Sequence, residues 1–204
     1  MPAAGDHAEQ VLDPQLHGRV TTAITEAFFV ELAEVGYGRL TVDSIVRRAG
    51  IGKAAVYRRW PTKRAMAIAL ITSVTAQADE PPDTGSFQGD VLALTQQMTT
   101  VFHHPLASRI IPAVAAEMGR DPELEMLLRD TVEGPRRLSY AELLHRGINR
   151  GELPADCDVD VALDILIGPL YWRLLVRRKA LDLDAIERLA TGLAAAVIAT
   201  RLND

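Results

Sequence analysis

Apolar residues recur along this chain at steps of three and four, and runs that alternate with period two are scarce. That pattern predicts helices throughout. Leu16, Val20, Ile24, Ala27, Phe28, Leu32 and Val35 make one stripe, with Asp13-Pro14 as cap and first turn and Gly36 as the stop. Val42, Ile45, Val46 and Ala49 form the inner side of a second, short helix that starts at Thr41. After Gly50, a third helix runs over about Lys53 to Trp60, with Ile51, Val56 and Trp60 inward. Pro61 then pushes Trp60 out of the helical region, and Thr62 caps a fourth helix that reaches about Ala78.

Asp79-Glu80-Pro81-Pro82-Asp83-Thr84-Gly85 breaks the pattern and reads as a loop. Phe87, Val91, Leu94, Met98, Val101 and Phe102 make the next stripe, and Ile110, Ile111, Val114, Ala115 and Met118 the one after. Asp121-Pro122-Glu123 starts a further helix, in which Gly134-Pro135 predicts a kink or break. Two more helices follow, to about Arg178 and about Leu202. The predicted fold class is all-α with about nine helices. The predicted division is an N-terminal arm (1–14), a three-helix unit (15–62) and a larger helical domain (63–204) joined through a linking helix (63–78).

Charge changes this picture by marking one stretch. The chain is acidic overall, with a formal net charge of -5, yet seven basic residues fall between Arg47 and Arg64. Residues 15–70 hold nine Lys/Arg against four Asp/Glu, so the remainder must be strongly acidic and unsuited to a phosphate backbone. A helix, a short glycine-bearing turn and a second short helix within such a stretch is a helix-turn-helix pattern. On the third helix Lys53, Ala54, Tyr57 and Arg58 share the outward face, with Ala55 beside them. Alanine methyls admit close approach to thymine methyls, and a lysine can reach guanine acceptors in the major groove. Thr41, Arg47, Tyr57, Arg58 and Lys63 are candidates for phosphate contacts.

The segment resembles the DNA-binding domain of TetR-family transcriptional regulators. The matching residues are Val35-Gly36-Tyr37, Thr41-Val42-Asp43-Ser44-Ile45, Ala49-Gly50-Ile51, Lys53, Val56-Tyr57, Trp60 and Pro61-Thr62-Lys63, in order and spacing. Gly52 departs from the pattern, because the family usually has a capping serine there. Further on, Gly85-Ser86-Phe87-x-Gly89-Asp90, Asp121-Pro122-Glu123-Leu124, Arg150-Gly151-Glu152-Leu153 and the stretch from Ile167 to Leu175 resemble one branch of the family's ligand domains. The resemblance implies a homodimeric, ligand-responsive repressor that binds a palindromic double-stranded DNA operator and answers to an unknown small-molecule effector. It implies a pocket among the C-terminal helices, for which Met98, Phe102, Ile111, Val114, Leu138 and Trp172 are the apolar candidates and Glu117 and Arg173 the polar ones. It also implies a dimer contact by the last two helices, for which Ile165, Leu166, Pro169, Leu170, Leu189, Leu193 and Val197 are candidates.

The motifs of other chemistry are missing from the sequence. No glycine-rich phosphate loop, nucleophile elbow or zinc-protease helix occurs. His103 and His104 are adjacent and point apart on a helix, and Cys157 is distant in sequence, so neither a metal nor another cofactor is expected. A single cysteine, a start without a secretory pattern and no apolar run of spanning length suggest a cytoplasmic protein away from membranes. The competing reading is an all-helical ligand-binding protein or enzyme whose basic face is merely solvated. Salt-dependent DNA binding separates the two.

Overall fold

The computed structural model describes residues 14–75 and 80–200, and the regular elements among these are all helical. Nine helices follow one another: α1 (Pro14–Arg39), α2 (Val42–Ala49), α3 (Lys53–Arg59), α4 (Lys63–Thr75), α5 (Phe87–His103), α6 (Ala107–Met118), α7 (122–149), α8 (159–176) and α9 (Leu183–Ile198). The arm before Pro14, the last part of the predicted linking helix and the chain end near Leu202 lie outside the described residues. The regular course of α1 is broken at Gly36, which takes φ 73°.

The expected break at Gly134-Pro135 takes another form. α7 stays continuous, but a wide π turn, Arg129–Glu133, sits just ahead of the proline. The Gly134 amide donates to the Arg129 carbonyl five residues back. Widening the helix there lets it run past a residue that has no N–H to give and whose ring crowds the preceding turn. A second π turn, Tyr171–Val176, follows Pro169 and completes α8.

Two apolar cores result. The first gathers Ile24, Phe28 and Leu32 of α1, Leu40, Ile45 of α2, Val56 of α3 and Met66, Ala67 and Leu70 of α4. It does not stop at the three-helix unit: Leu124 and Leu128 of α7 belong to it, and Ile110, Val114 and Met118 of α6 pack against it. The division at residues 62 and 63 falls at the start of α4, while the packing carries on across it. The second core is built around α5, whose Phe87, Val91, Leu94, Met98 and Phe102 meet Leu143 and Leu144 of α7, Leu163, Leu166 and Leu170 of α8, and Leu193 and Val197 of α9. Burying each of these side chains stabilises the fold by about 1.5–3 kcal/mol before entropy is counted.

The start of α5 is fixed by charge as well as by packing. Ser86 caps it through the Gly89 amide at 3.2 Å. Asp90, fully buried, accepts from the Thr84 amide at 2.6 Å, the Thr84 hydroxyl at 2.8 Å and Arg150 Nη2 at 2.9 Å. Arg150 also donates from Nε to Glu152 at 2.7 Å, and Glu152 accepts the Phe87 amide at 2.9 Å. Two stretches singled out in the sequence, Gly85 to Asp90 and Arg150 to Leu153, thus meet in one network.

Candidate nucleic-acid interface

The geometry of the α2–α3 unit follows from its local chemistry. Thr41 is extended and its hydroxyl accepts from the Ser44 amide at 3.1 Å, which starts α2. Gly50 closes α2 at φ 66°, ψ 31°, and its N–H returns to the Val46 carbonyl. A side chain at that left-handed position would carry a steric cost that glycine avoids. Gly52 enters α3 without a side-chain cap, leaving the Ala55 amide to bond the Gly52 carbonyl at 3.0 Å. Trp60, at φ -133°, ψ 105°, ends α3 in the extended region that Pro61 imposes. Thr62 caps α4 through the Ala65 amide at 3.0 Å.

These turns leave Lys53, Ala54, Tyr57 and Arg58 exposed on one face of α3, with Ala55 half-buried beside them. Thr41 and Arg47 are exposed on α2. Val56 is fully buried behind, and Ile51 and Trp60 pack against the same core. Lys53, Tyr57, Thr41, Asp43, Pro61, Thr62 and Lys63 line a single open groove across the starts of α2, α3 and α4.

Two of the cations in that groove have partners that periodicity does not reveal. Lys53 Nζ lies 2.6 Å from Asp43 Oδ1 and 5.8 Å from the centre of the Tyr57 ring. The hydrogen bond to Asp43 raises its pKa above the ordinary lysine value. Lys63 folds back instead: Nζ donates to the Tyr37 carbonyl at 3.0 Å and stands 4.4 Å from the Tyr37 ring centre. Burial pushes its pKa below the ordinary value, against the pull of Glu117 and Asp121. Arg48 is engaged by Glu31 and Glu34 of α1, which ties α2 down, while Arg47 beside it is exposed.

Arg64 at the start of α4 pairs with Glu123 and, at 3.2 Å, with Asp121 at the start of α7. Asp121 meanwhile caps α7 through the Leu124 amide at 3.0 Å. Its carboxyl is held below the usual range by that amide first and by Arg64 after it. Glu117, expected to orient a ligand, lies here too, with its carboxylate against the backbone of Gly38 and near Lys63.

The remaining pocket candidates separate. Met98 and Phe102 are buried in the second core, and Ile111 packs beside them. Val114 packs on the first core. Leu138 and Trp172 are 72% and 58% exposed, so no single cavity within one chain unites the eight residues. Arg173 is half-buried, and its Nε has no hydrogen-bond partner among the described residues. The dimer candidates divide similarly. Leu166, Leu170, Leu193 and Val197 are consumed by the chain's own core, Ile165 and Leu189 are half-buried, and Pro169 alone of the seven is exposed. The periodicity correctly marked an apolar stripe on each helix, but α5 covers that stripe from within the chain.

Comparison with known proteins decides the family. Residues 24–70 match the bacterial regulatory proteins of the tetR family, and residues 81–193 match the tetracyclin repressor-like C-terminal domain. The chain belongs to the TetR family of transcriptional regulators. It is 32% identical over 154 residues to the HTH-type transcriptional regulator YdeS of Bacillus subtilis, covering 76% of this chain and 77% of that one. It is 30% identical over 183 residues to an HTH-type transcriptional regulator of Mycobacterium tuberculosis, covering 89% of each. The fold is shared with the transcriptional regulator FadR from Bacillus subtilis in complex with stearoyl-CoA, at a TM-score of 0.71 and 16% identity, covering 88% of this chain and 98% of that one. TetR-family proteins are DNA-binding regulators and not enzymes, which removes the enzymatic reading of the basic face. No helix among the described residues is long and apolar enough to cross a membrane.

Proposed function

We propose that this TetR-family regulator is a ligand-responsive repressor that binds a palindromic operator as a homodimer. The observation that carries the DNA contact is the exposed face of α3, where Lys53, Ala54, Tyr57 and Arg58 project beside capped helix starts while Val56 anchors the other side. Two such helices must stand about 34–36 Å apart to read successive major grooves. Thr41, Arg47 and, once released from Tyr37, Lys63 serve the phosphates.

The partner subunit is met by what α8 and α9 leave uncovered. Val161, Pro169, Trp172 and Val176 are exposed on α8 at helical spacing, with Ile165 half-buried among them, and Gly192, Ala195 and Ala196 on α9 and Ala199 just past its end are exposed, with Ile198 beside them. A bulky apolar ridge beside a flat, small-residue face suits a self-complementary two-fold contact.

On this reading the effector lies between α5, α6, α7 and the π turn of α8. Tyr140 Oη stands 3.8 Å from Met98 Sδ there, and the π turn packs on both α5 and α6. Arg173 is the polar handle, because its Nε lacks a partner. A ligand with an apolar body and an anionic or carbonyl end fits that chemistry, and the FadR that shares this fold was solved in complex with stearoyl-CoA. The ligand releases DNA only to the extent that it prefers the non-binding state.

The test starts with selection of bound sequences from random duplexes, followed by affinity measurements on the selected site. Dimers of Lys53→Ala and Tyr57→Ala with normal thermal stability are expected to bind about tenfold or more weakly. Binding should fall steeply with salt. Unchanged affinity in both variants refutes the docking.

A further inference from the structure

Asp43 is the one acidic residue between Arg39 and Lys63, and its carboxylate sits on the groove side, 2.6 Å from the lysine at the start of the reading helix. A carboxylate facing polyanionic DNA lowers affinity for every sequence, so its place there calls for a role in discrimination. Both partners are well exposed, at 54% for Lys53 and 66% for Asp43, so the pair adds little to folding and is free to meet a ligand.

We propose that Asp43 is a specificity-determining residue which, together with Lys53, forms a donor–acceptor unit for a G·C base pair in the major groove. This rests on α3 being the reading helix. A lysine ammonium has three N–H donors. One directed at Asp43 leaves the others for guanine O6 and N7. The free oxygen of Asp43 can then accept from the cytosine N4 amine of the same or the adjoining pair. The edge of a G·C pair offers acceptors followed by a donor, and Lys53 followed by Asp43 offers the complement. The Tyr57 ring at 5.8 Å further restricts where the ammonium can swing. An A·T edge instead sets its one donor, the adenine N6 amine, between the acceptors N7 and O4, so Lys53 loses the adjoining pair of acceptors and Asp43 is left facing an acceptor or a phosphate unless it takes that amine alone. The carboxylate therefore weakens the wrong complexes more than the right one.

The experiment compares full-length wild type, Asp43→Asn, Lys53→Ala and the double variant. Each is subjected to selection from random duplexes and to titration on the wild-type site and on an unrelated duplex at two salt concentrations. The wild type is expected to require a G·C pair at one position of each half-site, and Asp43→Asn to lose about tenfold of that preference. Asp43→Asn should also bind the unrelated duplex more tightly, and its effect should shrink when Lys53 is already alanine. The proposal is overturned if Asp43→Asn selects the same sequence with the same stringency, or if it changes affinity for both duplexes by one common factor. Failure of the underlying docking shows differently, as wild-type affinity in Lys53→Ala.

Discussion

Replacing Asp90 by asparagine tests whether the buried ion network at the start of α5 holds the second core together. The wild-type carboxylate has no exposed surface and accepts three hydrogen bonds, two from Thr84 and one from Arg150. An amide of the same shape keeps an acceptor oxygen for Thr84 but turns an N–H toward another donor. The loss is the charge-assisted Arg150 bond, with an N–H left facing that guanidinium. Charge-assisted bonds contribute about 1.5–3 kcal/mol each, and Arg150 retains Glu152, so about 2 kcal/mol is expected. For a chain of this size that corresponds to a fall in melting temperature of roughly 4–8 °C. Urea unfolding at fixed protein concentration gives the free energy, because the proposed dimer would make stability concentration-dependent. The pH arm fixes the cause. Burial pushes the Asp90 carboxyl up, but the Thr84 amide, Arg150 and the Thr84 hydroxyl together hold it below the ordinary aspartate value. A depressed folded pKa means the stabilisation is complete above the unfolded value of about 3.9 and is lost as pH falls through the lower folded value. The gap between wild type and variant should be constant near neutrality and narrow only in acid. A change under about 0.5 kcal/mol, or a gap that narrows near pH 6, refutes the reasoning.

Three further substitutions follow from close contacts and exposure. Gly89→Ala drives a Cβ into the Thr84 hydroxyl and to 2.9 Å from that of Ser86, so it should cost about 1–3 kcal/mol in urea unfolding without altering the groove of α3. Gly50→Val forces a β-branched residue to φ 66° and should destabilise by at least about 1 kcal/mol; a neutral result in thermal unfolding would show that the turn can relax. Trp172→Glu puts a charge on the exposed ridge of α8 and should leave the far-ultraviolet circular dichroism unchanged while shifting the sedimenting species from dimer to monomer.

Sequence reading succeeded where the determinant is local. Thr41, Gly50, Pro61 and Asp121 each act on neighbours within a few positions, and each does in the structure what its chemistry predicts. The outward face of α3 was legible for the same reason, because helical period alone separates Val56 from Tyr57. The choice of partner was not legible. Val114 and Glu117 lie on a helix that looks like any other C-terminal helix, yet they face the DNA-binding core and the Gly38 backbone. Leu170 and Trp172 belong to one apolar run, and nothing local says that α5 claims the first while the second stays outside. The π turn before Pro135 was hidden because a proline signals a disturbance but not how the backbone absorbs it. The pairs Lys53–Asp43 and Arg64–Asp121 depend on how helices cross, which one sequence does not record.

The first core, shared between the three-helix unit and α4, α6 and α7, limits how this regulator can be recombined. A chimera cut after residue 62 would keep α1, α2 and α3 but discard Met66, Leu70, Leu124 and Leu128, which close the same core. The grafted reading head would arrive with an open underside, and its new host would be left with an apolar surface and no occupant. Swapping operator preference between relatives is better done by transplanting only the outward side chains of α3 and the Asp43 position. Those side chains are exposed and lie outside the core, so the interior stays unchanged.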